Sequence, residues 1–159
     1  MTRINLIDPY LLSDQHLFAE YREITRIPSA VLESLKNGSL ISQITSKVPD
    51  SFRLGEGHVC FFYDKLKYCH LRYIRLFGEL QNRRFALNDE YYQSHLNDLE
   101  YLSRYTDLYK DYRPSNRDID IIIERLVEKL EKKLSWYRYY GKSINKQEFP
   151  FYNRDCFVL

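Results

Sequence analysis

Three stretches of this chain combine residue types able to do chemistry. The first is its start, MTRINL. Thr2 is small, and initiator methionines are removed before small residues, which would leave a free α-amine on Thr2. Such an amine has an ordinary pKa of ~7.7–8.0, against ~10.4 for lysine. Near neutral pH part of it is unprotonated without the deep burial a catalytic lysine needs. A primary amine of this kind can attack a sugar C1′ and form a Schiff base. Plain N-terminal trimming is the alternative. The second stretch is Arg22-Glu23 with Arg26. Helical residues three and four apart share a face, so two bases could grip phosphates while the carboxylate works on a sugar between them. A solvated face with ion pairs is the alternative. The third is Trp136-Tyr137-Arg138-Tyr139-Tyr140, followed by Gly141-Lys142. Aromatic rings interleaved with bases can stack on unpaired bases and touch phosphates; an aromatic cluster packed on the core is the alternative. Arg125 and Lys129, four apart, extend a basic surface.

Other chemistries find no support. His16, His58, His70 and His95 have no metal-ligand spacing, and no zinc-protease, P-loop, dinucleotide or nucleophile-elbow pattern occurs. No carboxylate cluster suggests a two-metal nuclease. No metal or cofactor is expected. The scattered cysteines Cys60, Cys69 and Cys156 argue for a reducing compartment and against a disulfide framework. No apolar leader or run of ~18 apolar residues is present, so a soluble intracellular protein with no membrane partner is expected. The net charge of +2 does not imply nucleic acid by itself. It is uneven, with six acids and three bases in residues 88–113. The fifteen tyrosines suit wet interfaces, because each has an apolar body and a polar tip.

The elements that must position these residues read as helices, and the fold class as all-α. The first helical pattern covers 13–36, with Leu17, Tyr21, Ile24, Val31 and Leu35 on one face. Ser13 or Asp14 can cap it, Asn37-Gly38 can end it, and Pro28 should kink or interrupt it. A second helix is expected over 65–83, capped by Asp64, with Leu66, Tyr73, Phe77 and Leu80 as its stripe. Residues 85–113 read as an irregular Tyr-rich excursion with a short helix near 94–105. A capping box, Ser115 with Asp118, opens a third helix over 118–133. The tail SINKQEFPFYNRDCFVL reads as a segment packed on the surface.

Taken in order, MTRINL, DQHLFAEYRE, GHVCFFYDKL and WYRYYGK resemble the pyrimidine-dimer DNA glycosylases of T-even phage type, which have relatives in algal viruses and an older name, dimer-specific endonuclease V. The resemblance covers most of 1–87 and 114–144. It implies a compact single domain, 1–144, of three main helices with the N-terminal segment threaded between them. An insertion occupies about 88–113 and an extension 145–159. The resemblance further implies Thr2 as nucleophile and Glu23 as essential carboxylate. It implies DNA contacts by Arg3, Arg22, Arg26, Arg125, Lys129, Trp136, Tyr137, Arg138, Tyr139 and Lys142. The implied activity is bifunctional. A monomer without cofactor would excise cyclobutane dimers from UV-damaged double-stranded DNA through a Schiff base, then cut the strand by β-elimination. The same chemistry on ring-opened purines or abasic sites, and a non-catalytic DNA-binding module, are the alternatives. Two departures stand out. Leu32 and Glu33 occupy a stretch that is basic in the family, and Tyr73 stands where a Gln lies close to the DNA.

Overall fold

Pro28 interrupts the first helical pattern, but the break falls before the proline. In the computed structural model, which describes residues 3–153, the pattern becomes two helices, α1 (Asp14–Glu23) and α2 (Arg26–Lys36), turning at Ile24-Thr25. Pro28 thereby sits in the first turn of α2, where a missing N–H costs little. Ser13 caps α1, its Oγ accepting the His16 N–H at 3.2 Å. At the end of α2, Gly38 takes the left-handed conformation (φ +82°) that lets the Ser39 N–H reach back to the Ser34 carbonyl at 3.0 Å.

The short α3 (Ile41–Thr45) and a turn at Cys60–Phe62 lead into α4 (Leu66–Asn82). Its expected stripe, Leu66, Tyr73, Phe77 and Leu80, is buried. Asp64 does not cap it. The carboxylate instead takes the neighbouring Lys65 Nζ at 2.7 Å, and α4 starts without a side-chain cap.

The region 85–113 is the main correction. Its centre is a regular helix, α5 (Asp89–Leu102), packed on α2 and α4. Asn88 caps it by accepting the Tyr91 N–H at 2.8 Å. Asp89 and Glu90, which contribute to the acidic excess, fall in the first turn, where negative charge favours a helix. Tyr92 packs inward, lying flat on Phe77 with ring centroids 3.6 Å apart, while Tyr91 and Tyr101 are exposed. Beyond it, α6 (Asn116–Lys132) opens on the predicted box, with Asp118 accepting the Ser115 N–H at 3.0 Å and Ser115 Oγ accepting the Asp118 N–H at 3.2 Å. The all-α class holds: among the described residues there are six α-helices, two isolated β-bridges and no strand. The tail is not a surface layer. Phe149 and Phe151 are fully buried, and the turn Pro150–Tyr152 packs on α6. Cys156 and Phe157 lie outside the described residues.

Residues 3–12 thread into the interior, with Ile4 and Leu12 fully buried. A strand partner is absent, so side chains must satisfy this backbone. Arg72 of α4 reaches the Ile7 carbonyl at 2.6 Å and forks onto Glu20 of α1 at 2.6 and 3.0 Å. Leu6 adopts a left-handed φ of +56°, and the Ile7 N–H closes a three-residue turn on the Asn5 carbonyl at 2.6 Å. That conformation is strained for leucine and persists because the contacts around it fix the chain on both sides.

Two predictions concern stability. Glu20→Gln leaves the Arg72 charge buried without its counter-ion and should cost ~3–5 kcal/mol in urea unfolding. The second concerns acid. Burial is the main cause that lowers the pKa of all four histidines, and with the Arg125 and Lys129 charges it holds His16 at about 3. The unfolded chain protonates its histidines near ~6.5. Below that pH the unfolded state therefore binds more protons than the folded one. Stability present above pH ~6.5 should fall as pH drops, by up to ~1.4 kcal/mol per pH unit for each fully buried histidine. Urea midpoints at pH 7.5 and 5.5 measure this; equal midpoints would contradict it.

Candidate nucleic-acid interface and active site

Glu23 ends α1, half-buried, and its Oε2 accepts the Arg3 backbone N–H at 2.9 Å. One turn back, Glu20 accepts from the Asn5 side chain at 2.8 Å, and Arg125 of α6 donates to the other end of that amide at 2.9 Å. The start of the chain is thus fixed to α1 and α6 together. Burial and the nearby Arg3 charge push Arg125 down to about 10, so it stays a cation at neutral pH. Two guanidinium groups held close favour an anion between or above them.

A groove of about 780 Å³ opens beside Glu23 and is also lined by Gln15, Arg22, Arg26, Tyr91 and Trp136. Arg22 and Arg26 are not neighbours on one continuous helix, as the spacing suggests. Arg22 lies in the last turn of α1 and Arg26 is the first residue of α2, yet the intervening turn delivers both exposed side chains to the same groove. The Thr25 hydroxyl braces that turn by donating to the Arg22 carbonyl at 2.9 Å. Tyr91 and His95, edge-to-face at 4.5 Å, come from α5 and form a wall that sequence reasoning missed. Nothing in their spacing marks them; only the packing of α5 onto α2 brings them there.

The aromatic segment divides in two. Trp136 is 64% exposed and faces the groove. Tyr137 is instead buried, stacked on His16 at 4.5 Å, and has no free face for a base. Tyr139 donates its hydroxyl to the Tyr10 carbonyl at 2.9 Å, and Arg138 folds back to donate to the Ser135 carbonyl at 2.6 Å. Lys142 is exposed and closes a tight turn with Tyr139 through paired backbone hydrogen bonds of 2.9 and 3.0 Å. Positive φ at Tyr140 and Gly141, +50° and +75°, gives this turn its shape.

Side chains of α1 hold this segment in place. The Gln15 amide donates to the Trp136 carbonyl and accepts the Arg138 N–H, both at 2.8 Å. Asp14 accepts the Gly141 N–H at 2.7 Å and the Arg83 guanidinium at 2.8 Å. Arg83 in turn lies over the Tyr140 ring at 4.5 Å. Asp14, Gln15 and Arg83 are therefore positioning residues; the first two are legible in sequence only as part of DQHLFAEYRE, and Arg83 belongs to none of the stretches singled out.

Of the remaining expected residues, Lys129 is exposed on α6. Tyr73 is fully buried and stacked on Tyr21 at 5.3 Å, away from any groove. Thr2 lies outside the described residues. Among the described residues no group of three or more His, Cys, Asp or Glu could hold a metal ion, and no helix is long and apolar enough to cross a membrane.

This geometry gathers a carboxylate, two arginines and an exposed ring along one groove. Residues 1–93, from the N-terminus into α5, match the pyrimidine dimer DNA glycosylases. The chain belongs to that family. It is a DNA repair glycosylase, and its substrate is DNA.

The division within the aromatic segment is testable. Trp136→Ala should weaken binding to duplex DNA about tenfold, as expected for a lost base-stacking ring, with the urea midpoint unchanged. Tyr137→Ala should instead lose ~3–5 kcal/mol of stability. Fluorescence anisotropy and urea unfolding of both variants check the pair.

Proposed function

We propose that this glycosylase excises UV-induced cyclobutane pyrimidine dimers from double-stranded DNA and then cuts the strand, with the α-amine of Thr2 as nucleophile. One observation carries the proposal: the Arg3 N–H rests on Glu23 at 2.9 Å. That nitrogen is bonded to Thr2, and one residue spans ~3.8 Å. An amine on Thr2 can therefore reach the same sugar as Glu23.

The neutral amine attacks C1′ of the 5′ nucleotide of the dimer. The C1′–N bond breaks and its electron pair leaves with the base. Loss of the amine proton and opening of the sugar ring give an iminium between enzyme and C1′. Its positive charge acidifies the C2′ proton. Glu23 stabilises the cationic sugar, then takes that proton; the C2′ electron pair expels the 3′ phosphate. Water hydrolyses the remaining imine and frees the amine. The iminium is the electron sink, so the steps call for no cofactor.

Arg3, Arg22, Arg26, Arg125 and Lys129 supply positive charge along the DNA backbone, joined by Arg138 and Lys142. Trp136 offers a ring to an unpaired base. Tyr137 and Tyr139 act one step back, by packing and orienting that segment. The enzyme works as an intracellular monomer.

Borohydride should trap a covalent adduct with UV-irradiated duplex when intact mass shows Met1 removed. An absent adduct would refute the Schiff base. Protein retaining Met1 should give none, and Glu23→Gln should bind the duplex but turn over at least ~100-fold more slowly. Defined abasic and ring-opened-purine substrates in the same assay fix the lesion range.

A further inference from the structure

His58 is fully buried and stands far along the chain from Glu23. Its ring nevertheless touches the N-terminal segment directly. The Ile4 backbone N–H donates to His58 Nε2 at 2.9 Å, while Nδ1 lies 2.8 Å from the Arg53 carbonyl. A backbone N–H can only donate, so Nε2 must be an unprotonated acceptor and Nδ1 must carry the hydrogen given to Arg53. Both ring nitrogens are thus committed, and the tautomer is fixed.

The surroundings enforce that state. Phe52 and Phe62 meet the ring edge-on at 5.4 and 5.6 Å. Burial, with the Arg3 and Arg125 charges, keeps the imidazole neutral, opposed by Glu20 and the Arg53 carbonyl. The bond at Ile4 lies one residue beyond the Arg3–Glu23 bond. Successive backbone N–H groups are thereby held by different elements, Arg3 by α1 and Ile4 by the loop before α4. An extended chain projects successive groups to opposite sides, so these two anchors clamp the segment from both sides and fix its rotation and its register.

We infer that His58 is a positioning residue for the N-terminal nucleophile: its Nε2, by accepting the Ile4 N–H, sets where the chain start stands relative to Glu23. The inference rests on the proposed role of Thr2. A slip of about 1 Å at a reacting group can cost ~100-fold in rate. The loop that carries GHVCFFYDKL then has an assigned task, to present one neutral imidazole to the back of the active site.

Two amide variants separate the two ring nitrogens. In His58→Gln the side-chain oxygen can stand near Nε2 and accept from Ile4. In His58→Asn the shorter amide can donate to Arg53 but leaves Ile4 without an acceptor. Borohydride trapping and single-turnover cleavage on a duplex with one abasic site would be measured for wild type and both variants, together with DNA affinity and the urea midpoint. We expect His58→Asn to lose ~100-fold in cleavage rate with DNA affinity within about threefold, and His58→Gln to recover most of that loss. Comparable midpoints for the two variants would show that the difference lies in positioning. Wild-type rates in folded His58→Asn, or equal losses in both variants tracking their midpoints, would overturn the inference while leaving the Schiff-base reading intact. Failure of wild type itself to trap would overturn that reading, and this inference with it.

Discussion

The fork between Arg72 and Glu20 sets the register on which the rest of the structure depends. It joins α4 to α1, with both side chains almost completely shielded. The same guanidinium holds the Ile7 carbonyl, and the same carboxylate holds Asn5, which passes the connection to Arg125 on α6. Three helices and the N-terminal segment therefore share one polar knot. Buried ion pairs contribute little net stability against an apolar replacement, because desolvation opposes the attraction. The surrounding apolar core, from Ile4 to Phe151, supplies the stability. The knot supplies uniqueness: a helix shifted by one turn would leave charges buried and unpaired.

A second polar cluster does for the aromatic segment what the knot does for the chain start. Arg83 reaches the Leu12 carbonyl, Asp14 and Glu79, each at 2.8 Å. Asp14 and Gln15 then grip the backbone from Trp136 to Gly141. The knot uses Glu20 in the second half of α1 and this cluster uses Asp14 and Gln15 at its beginning, so that helix carries the carboxylate at its C-terminal end and the aromatic segment at its N-terminal end. The groove lies along the helix between the two. Five of its lining residues, from Gln15 to Glu23, stand on α1, and a site built on a helix is held more tightly than one on loops.

The sequence was most readable where periodicity and capping act locally. The α6 box, the α4 stripe and the Gly38 stop follow from rules spanning four residues or fewer. Four residues that the fold brings to one groove, Glu23, Arg22, Arg26 and Trp136, were singled out through motif order. What escaped was set by tertiary packing. The α5 helix has a modest apolar face, and its Tyr92 packs its ring only because Phe77 and Tyr73 are there to receive it. Tyr137 and Trp136 are adjacent aromatic residues in sequence, and nothing local says that the first packs on His16 while the second faces solvent. The role of Gln15 is equally silent, since its partners lie more than 120 residues away.

The charge arrangement explains why the carboxylate must stand where it does. DNA binding calls for positive potential; Arg22 and Arg26 line the groove, and Arg3 and Arg125 add charge at the chain start beside it. The proposed reaction, however, generates a cation at the sugar. Arginines alone would oppose that step by like-charge repulsion while favouring the substrate's phosphates. A carboxylate adjoining the reacting sugar reverses the sign of the field locally without removing it from the groove at large. Glu20 cannot serve this purpose, because Arg72 and Asn5 already occupy it in the interior. Glu23, one turn further along α1 and half-exposed, accepts the Arg3 N–H on Oε2. Two carboxylates three residues apart thus differ in what is open to them: Glu20 is buried and locks the fold through Arg72 and Asn5, while Glu23 is left half-exposed for the substrate role proposed above.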